Sequence, residues 1–237
     1  ELLLFSTNVK IEKEEKFEKE DIEYIDSEQS LTKTLKEIKI CENLILGFVS
    51  QTEFPDSKNL KLIGLIGKIN INKNKETKFY FPQFRHKTLE NAVLETLNSE
   101  IFIKFVKDIF SSQKSLITYD VKSQIKLLLK YAEDKLNFCN LQISNLYDLL
   151  ILSYLINPNR KIITLQELVN IYLGNIPVSE LTLPVELNLN IFPVEKILSK
   201  LFDTLDIIYK VFKKIEEKLA EFNLFTVYKN VELPLIK

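Results

Sequence analysis

The sequence predicts an α/β domain built on a mixed sheet, with three antiparallel strands followed by parallel strands and with helices on both faces. Successive apolar runs joined by short polar turns, between residues 43 and 81, indicate the antiparallel part. An apolar run that ends at Asp120 and continues as an amphipathic helix indicates a strand–helix unit of the parallel part. The 237 residues, of which 46% are hydrophobic, suit one large domain or one domain with appendages.

The charge balance argues against a dedicated nucleic-acid binder. Lys and Arg number 32 against 33 Asp and Glu, which leaves a formal net charge of -1. A chain that binds DNA tightly by itself normally carries a basic excess, which displaces counterions from phosphate. We therefore expect DNA to be contacted only weakly or indirectly. The 4 glycines are too few for loops that cradle phosphate, and no cofactor is expected.

Several absences from the sequence indicate a cytoplasmic setting. No apolar run approaches the ~18 uncharged residues of a membrane span, and no signal-peptide pattern opens the chain. Cys41 and Cys139 lie far apart without metal-ligand spacing, and we expect two buried free thiols in a reducing compartment. The lack of any methionine indicates a piece of a longer polypeptide. We therefore expect a cytoplasmic protein without membrane contact.

The first elements are a lead segment and a helix. Residues 1–20 are predicted to be a linker, because the charge run Ile11–Ile22 mixes acids and bases as solvated segments do. Asp26 is predicted to cap the helix, with Gln29 at its third helical position. The apolar residues of this helix recur at helical spacing: Leu31, Leu35 and Ile38.

Three strands then follow one another as an antiparallel meander. They are predicted at Asn43–Ser50, at Leu60–Gly67 with Ile69–Ile71 as an extension, and at Thr77–Phe81. The polar stretch Asn72–Lys75 supplies the turn between the last two.

The middle of the chain is predicted to alternate helices and strands. A helix is expected over Thr88–Phe110 with a break near Asn98, followed by a strand at Leu116–Tyr119. Asp120 then opens a helix whose apolar face contains Ile125, Leu128 and Leu129. A short strand is expected at Asn140–Ile143.

The last third of the chain is predicted to be mainly helical. A helix over Tyr147–Ile156 closes at Asn157-Pro158, and Thr164 opens a capping box for a helix over Leu165–Leu173 that Gly174 ends. Asn175–Ile191 is expected to be a loop. Pro193 then occupies the first turn of a long amphipathic helix that runs to about Asn223.

Four stretches carry a resemblance to a known family. Leu62-Ile63-Gly64-Leu65, Asp120-Val121-Lys122, the run from Tyr147 to Pro158 and the ending Glu232-Leu233-Pro234-Leu235 resemble the 3′–5′ exonuclease domain of bacterial family A DNA polymerases. The resemblance implies a ribonuclease-H-like 3′–5′ exonuclease fold over residues 21–225. Residues 226–237 would begin the polymerase thumb helix.

Active members of this family hydrolyse a 3′-terminal phosphodiester with two divalent metals held by carboxylates, because hard cations take oxygen ligands. The resemblance places the Asp-x-Glu of the first strand at Val49 and Gln51. The acid of the central helix falls at Gln124, and the last helix has Asp206 with Phe202 in the place of a tyrosine. A register slipped by two residues would place Glu53 at the second strand position and Gln51 at the first.

This pattern retains at best one of the family's acids, so we expect no metal, no catalytic residue and a catalytically inactive domain. Its expected role is structural support in DNA replication or repair, with the polymerase domain of the same or a companion chain as partner. Two alternatives stay open. One is an active metal-dependent exonuclease that uses Glu53, Asp56, Asp120 and Asp206. The other is a free-standing interaction module with the same fold.

Other polar residues have ordinary structural explanations. Asp120 is expected to cap a helix, and Asp148 to make a structural hydrogen bond inside a helix. Asp203 and Asp206 suit the solvated face of an amphipathic helix, and His86 suits a surface loop. The basic residues of the long helix are interleaved with acids at spacings that allow i,i+4 pairs: Lys210, Lys213, Lys214 and Lys218, with Glu216, Glu217 and Glu221.

Overall fold

The structure is a computed structural model. It describes residues 21–52, 60–72, 75–84, 86–87, 93–94, 96–112, 114–132, 143, 145–160, 164–183, 187 and 193–236, with the backbone alone at 86–87 and 93–94. The predicted linker over residues 1–20, the acids Glu53 and Asp56, the cysteine Cys139 and most of the strand predicted at Asn140–Ile143 lie outside these ranges.

The described elements alternate between strands and helices along the chain. In order they are β1 (Ile22–Tyr24), α1 (Glu28–Ile40), β2 (Asn43–Thr52), β3 (Leu60–Asn72), β4 (Lys75–Pro82), β5 (His86–Lys87), β6 (Val93–Leu94), α2 (Ser99–Phe110), β7 (Ser115–Thr118), α3 (Val121–Ala132), β8 (Leu146–Asp148), α4 (Leu149–Ile156), α5 (Leu165–Tyr172), β9 (Thr182–Leu183) and α6 (Val194–Glu221). The chain then continues as α7 (Phe225–Val227), a π-helical turn (Tyr228–Glu232) and α8 (Leu233–Leu235).

The main sheet confirms the predicted mixed topology. Its strand order is β1-β4-β3-β2-β7-β8, and β9 pairs with the end of β2. The pairs β2–β3 and β3–β4 are antiparallel, whereas β2–β7, β7–β8 and β1–β4 are parallel. Helix α2 precedes β7 and helix α3 precedes β8, so the chain reaches both parallel strands through a helix. β5 and β6 form a separate pair.

Side chains that alternate along the central strand β2 enter two different hydrophobic clusters. Leu44 and Leu46 pack with residues of α1, α2 and α3 on one face. Ile45 and Val49 pack with residues of α4, α5 and α6 on the other face. The strand is therefore buried on both sides, which explains why its sequence is a continuous apolar run instead of an alternating one.

The helix caps confirm one prediction and correct two. The predicted capping box of α5 is present, since Thr164 Oγ1 accepts from Glu167 N at 3.2 Å and Glu167 Oε2 accepts from Thr164 N at 3.0 Å. Helix α1 is capped by Ser27 and not by Asp26, because Ser27 shares a reciprocal capping box with Ser30. Pro193 is the cap residue before α6 and not a first-turn residue.

Two predicted helices begin later than expected, and one residue predicted in a loop lies in a strand. The helix predicted from Thr88 begins only at Ser99, where Asn98 Oδ1 caps it, and Val93–Leu94 is a strand paired with His86–Lys87. His86 therefore lies in a strand and not in a loop. Likewise Tyr147 and Asp148 belong to β8, so helix α4 begins at Leu149. At Val93–Leu94 and at Tyr147–Asp148, pairing with another strand overrides the local helical pattern.

Smaller differences concern the remaining segments. Ile143 is not in a strand, and the strand of this region is β8, which begins at Leu146. Residues 182–183 form β9 inside the stretch predicted to be a loop. The buried free thiol is confirmed for Cys41.

Gly67 on β3 leaves room for an aromatic cluster beneath α2. A Cβ at this position would lie 2.2 Å from Cε1 and Cζ of Phe79. The Phe79 ring in turn packs edge-to-face on Phe105 of α2, with the ring centroids 5.9 Å apart. The close approach of the ring to the strand backbone therefore requires a glycine here.

We predict that Gly67→Ala lowers the free energy of unfolding by about 1–3 kcal/mol, because the Phe79 ring must move away from Phe105. Urea denaturation measures the change. Gly47→Ala is the matched control, since its Cβ would meet chiefly the flexible ends of leucine side chains, the nearest being Leu181 Cδ1 at 2.7 Å. A loss in Gly67→Ala no larger than that in Gly47→Ala would contradict the argument.

Candidate functional site

The carboxyl ends of β2, β7 and β9 meet at one edge of the sheet, where the chain passes from β7 into α3. Asp120 forms this junction with a φ of 52°, a left-handed conformation that Asp tolerates better than most residues. Its Oδ1 accepts from Ser123 N at 3.2 Å, and its carbonyl accepts from Gln124 N at 3.2 Å. The prediction that Asp120 caps the helix is confirmed.

Gln124 lies one helical turn beyond this cap and is held by its side-chain amide. Its Nε2 donates to Thr118 Oγ1 at 2.7 Å and also to the carbonyl of Tyr119. Thr118 in turn donates to the carbonyl of Leu46 on β2 at 3.2 Å. Because a carbonyl can only accept, these bonds fix the orientation of the Gln124 amide and direct its N–H groups toward the sheet.

An open cavity of about 240 Å³ lies beside Gln124. The described residues that line it come from the ends of β2 and β7, from α3 and from the segments around α5 and β9: Phe48, Ser50, Leu60, Tyr119, Asp120, Ser123, Gln124, Leu127, Thr164, Leu165, Glu180, Leu181 and Thr182. Of the positions that the resemblance singles out, Gln124 lines this cavity, whereas Val49, Gln51, Phe202 and Asp206 do not.

Val49 on β2 and Phe202 on α6 are buried in the same hydrophobic cluster. Their exposed fractions are 2% and 0%. The ammonium of Lys78 lies 5.5 Å from the centroid of the Phe202 ring. A valine and a phenylalanine offer no oxygen to a cation, and Phe202 lacks the hydroxyl that would orient a water molecule.

Gln51 lies near the end of β2, beside β9. Its Nε2 donates to the carbonyl of Leu187 at 2.8 Å. The neighbouring Ser50 makes a 3.0 Å hydrogen bond with Thr182 on β9. The side chains at the end of β2 therefore help to bind the segment that follows α5 to the sheet.

Asp206 on α6 pairs with the buried cation of Lys68 on β3. Lys68 Nζ also lies 2.9 Å from Glu76 Oε2 on β4. Burial alone would lower the pKa of Lys68, but the hydrogen bonds to Asp206 and Glu76 outweigh it and raise that pKa. The carboxylate of Asp206, whose side chain is 32% exposed, is thus paired with a buried cation as well as partly solvated, which modifies the prediction of a solvated face.

The residues at these positions do not fit a pair of divalent metal ions. Such ions need several carboxylate oxygens directed at a common point. Here Val49 and Phe202 are apolar, Gln124 turns its N–H groups to two protein oxygens, and Asp206 is engaged by Lys68. Within the described ranges, no group of three or more His, Cys, Asp or Glu side chains is placed to hold a metal ion.

Asp148 joins two strand–helix junctions next to this edge. Its Oδ2 accepts from Val121 N at 2.7 Å at the start of α3, and its Oδ1 accepts from Leu150 N at 2.8 Å in α4. Its own N–H donates to the hydroxyl of Tyr228 at 3.1 Å, and that hydroxyl donates to Leu146 O at 2.6 Å. The predicted structural hydrogen bond is present, although Asp148 caps α4 and does not lie inside a helix.

Burial sets the protonation of this carboxyl. Asp148 is 2% exposed. Desolvation raises its pKa from 3.8 to about 6, although the hydrogen bonds from Val121 and Leu150 act in the opposite direction.

Sequence reasoning missed Lys68, Glu180 and Tyr228. Lys68 had a visible signal, since it interrupts the apolar run of β3 and a buried lysine requires an acid nearby. Glu180 and Tyr228 had none, because their positions depend on how distant segments pack. The basic residues of α6 also pair differently than predicted, at i,i+3 spacing for Lys213–Glu216 and Lys214–Glu217.

The mixed sheet with helices on both faces and the strand–helix junctions at its edge define a ribonuclease-H-like fold of the 3′–5′ exonuclease type, as predicted. Among solved structures, the chain is similar to the POL domain of Pol1 from M. smegmatis in complex with DNA primer-template and dNTP. The TM-score is 0.59 at 11% identity, and the match covers 90% of this chain and 30% of that chain. The chain thus spans less than a third of the length of that polymerase chain.

Two further solved structures share the fold. The Aedes aegypti Nibbler EXO domain matches with a TM-score of 0.53 at 10% identity, over 86% of this chain and 91% of that chain. The catalytic core of RRP6 from Trypanosoma brucei matches with a TM-score of 0.55 at 12% identity, over 91% and 52%. At these identities the likeness establishes the fold alone.

No protein-family model matches the chain, and no curated protein matches it. Across the part of the chain that the structure describes, no helix has both the length and the apolar surface that crossing a bilayer requires.

We predict that Asp148→Asn removes a pH dependence of stability. The protonated carboxyl is favoured in the folded state, so its contribution is fully present below the unfolded pKa of 3.8 and is lost as pH rises through about 6. The wild-type protein should lose roughly 2–3 kcal/mol through this group between about pH 4 and pH 7. The amide variant starts less stable by about 1–3 kcal/mol, because its NH₂ meets a backbone donor.

Urea denaturation of both proteins across this pH range measures the difference, which should shrink as pH rises. Asp108→Asn, which alters an exposed acid on α2, is the control and should show no such convergence. A constant difference between wild type and Asp148→Asn would show that Asp148 titrates normally.

We also predict that Asp206→Asn destabilises the fold by on the order of 1–2 kcal/mol, because the buried Lys68 ammonium then keeps only Glu76 as an acidic partner. The double variant Lys68→Met/Asp206→Asn should recover part of this loss, since no buried charge remains. Asp203→Asn, one turn earlier on the exposed face, should change stability by less than about 0.5 kcal/mol. Equal effects of Asp206→Asn and Asp203→Asn would argue against the internal ion pair.

Proposed function

We propose that the chain is an inactive 3′–5′ exonuclease-like domain of a family A DNA polymerase, which supports the polymerase body in DNA replication or repair without proofreading. The observation that carries the proposal is Gln124. At the position where the resemblance expects an acid, this residue has a neutral amide whose N–H groups are bonded to Thr118 and Tyr119. A side chain held in this way cannot turn a negative oxygen toward a cation.

The other positions support the same conclusion independently. Hydrolysis by two metal ions needs a cluster of negative oxygens that clamps the attacking and the leaving oxygen. The carboxylate of Asp206 is neutralised by Lys68, and Val49 and Phe202 belong to an apolar cluster. Restoring the cluster would therefore require several substitutions together with a rearrangement of the Lys68 ion pair.

The polymerase assignment is supported by the ending Glu232-Leu233-Pro234-Leu235, which resembles the start of the thumb, and by the likeness to the POL domain of Pol1. In this proposal residues 21–225 form the exonuclease-like domain and residues 226–237 begin the thumb. The partner is the polymerase domain of the same or a companion chain. The net charge of -1 favours weak or indirect contact with DNA. The setting is the cytoplasm.

We predict that the purified chain releases no nucleotide from a 3′-labelled single-stranded oligonucleotide in Mg²⁺ or Mn²⁺ above the rate of a protein-free control. Denaturing gel electrophoresis measures the release. The Asp206→Ala variant is the matched comparison, and it should behave like the wild type. Mn²⁺-dependent degradation that disappears in Asp206→Ala would overturn the proposal and establish an active nuclease.

The polymerase assignment has its own test in the natural polypeptide that contains this chain. That polypeptide should extend a matched primer. It should leave a mismatched 3′-terminal nucleotide in place when dNTPs are withheld. Failure to extend any primer would overturn the polymerase assignment, and removal of the mismatch would overturn the loss of proofreading.

A further inference from the structure

The cavity beside Gln124 has a chemistry that the lost nuclease activity does not explain. Its volume of about 240 Å³ is comparable to that of a ligand with several non-hydrogen atoms, since a water molecule occupies about 30 Å³ in the liquid. One part of its wall is apolar and is formed by Phe48, Leu60, Leu127, Leu165 and Leu181. The other part is polar and contains hydroxyls, carboxylates and the Gln124 amide.

Gln124 presents a hydrogen-bond acceptor that has no donor within the described part of the chain. The residue is 9% exposed, and its two side-chain hydrogen bonds both use Nε2. Among the described residues none donates to its Oε1, although the side chain lines the cavity. This oxygen is available to a ligand in the open cavity, so a ligand that donates a hydrogen bond can bind at this point.

The charged groups of the cavity wall are of a single sign. Asp120 and Glu180 both line it, and the described lining includes no Lys or Arg. The pKa of Tyr119 is raised, chiefly by burial and further by nearby carboxylates such as Asp120 and Glu180. Its phenol therefore stays neutral. This wall repels phosphates and carboxylates and attracts a cation.

The lining of the cavity favours an ammonium group over a divalent metal ion. Divalent metals favour several carboxylate oxygens, whereas the described wall offers two carboxylates, an amide oxygen and neutral hydroxyls beside an apolar surface, and no third acid joins them. An ammonium group has three donors and no acceptor, and an alkyl stem attached to it can pack on leucines.

We propose that this cavity binds an alkylammonium group. The charged nitrogen is held by Gln124 Oε1 and by the carboxylates of Asp120 and Glu180, and the alkyl stem packs against Leu127 and Leu165. Such a group can come from a free aliphatic amine or from a lysine side chain of a partner protein. The binding requires no metal and does not depend on the polymerase assignment.

The test is a titration of the ¹⁵N-labelled chain with n-pentylamine, followed by the backbone amide shifts. The amine should shift the amides of cavity residues such as Ser123 and Thr182, whereas pentanoate and n-pentanol at the same concentrations should shift them much less. A parallel titration with Nα-acetyl-lysine methylamide distinguishes the sources. Tighter binding of this compound identifies a protein lysine, and tighter binding of pentylamine identifies a free amine.

The matched variants isolate the charge. Asp120→Asn/Glu180→Gln keeps an acceptor that can cap α3 and removes both carboxylates, and it should weaken amine binding by about fivefold or more. Asp108→Asn/Glu221→Gln removes two exposed carboxylates elsewhere and should leave the affinity unchanged. Equal thermal unfolding of the two variants shows that both are folded. If Asp120→Asn/Glu180→Gln is unstable, each of its single substitutions is titrated instead, and each should weaken binding more than the control does.

Three results would overturn the inference. The first is equal binding of pentanol and pentylamine, and the second is unchanged affinity in Asp120→Asn/Glu180→Gln. The third is paramagnetic broadening of the cavity amides by Mn²⁺, which would identify a metal site there. The nuclease assay and the amine titration use different readouts, so failure of one does not imply failure of the other.

Discussion

The burial of strand β2 on both faces is the constraint on which the rest of the structure depends. Leu44 and Leu46 belong to one hydrophobic cluster, and Ile45 and Val49 belong to the other. A charged side chain at any of these buried positions would therefore need a partner of opposite charge. No polar side chain lies between Leu44 and Val49, and polar side chains follow at the carboxyl end, where Ser50 lines the cavity beside the ends of β7 and β9. Open α/β sheets generally place their ligands beyond the carboxyl ends of strands, and the cavity follows this rule.

Hydrogen bonds between distant segments hold this edge in place. The carboxyl of Asp148 caps α4 and also accepts the first N–H of α3, so a single side chain sets the start of both helices. The hydroxyl of Tyr228 links β8 to the π-helical turn near the carboxyl terminus. Gln124 and Thr118 connect α3 to β2 in the same manner. Most of these hydrogen bonds have a backbone partner, and together they order the edge of the sheet.

The long elements could be predicted from the sequence because burial imposes a periodic pattern on them. Contact with a large hydrophobic cluster produces the apolar runs of β2 and β3. The same kind of contact produces the 3.6-residue pattern of α6. The short strands β1, β6, β8 and β9 contain two or three residues each, and too few residues are present for a period to be detected. Their formation depends on a neighbouring strand. For this reason the helical pattern before Ser99 was misleading.

The same distinction applies to the site. The position of Gln124 could be inferred from its spacing to Asp120, because the strand, cap and first helical turn are contiguous in sequence. The ion pair between Asp206 and Lys68 joins residues 138 positions apart, and it depends on how α6 crosses β3. No local pattern encodes that crossing. Sequence reasoning therefore singled out Asp206 on α6 but not Lys68, the cation that pairs with it.

The residues at the positions that the resemblance singles out are each compatible with a stable fold without a bound ion. Carboxylates that converge on one point repel each other, and they are tolerated in active nucleases because metal ions neutralise them. When no ion is bound, a buried acid at position 49 would have to be desolvated within an apolar cluster. Valine removes that cost, and Gln124 keeps a polar side chain that bonds to Thr118 while carrying no charge. Asp206, the acid at the position on α6 that the resemblance singles out, is paired with the ammonium of Lys68, a cation that belongs to the protein itself. The charge of Asp206 is thus balanced within the chain, away from the cavity beside Gln124, whose described wall keeps the carboxylates of Asp120 and Glu180 for a ligand of a different chemical class.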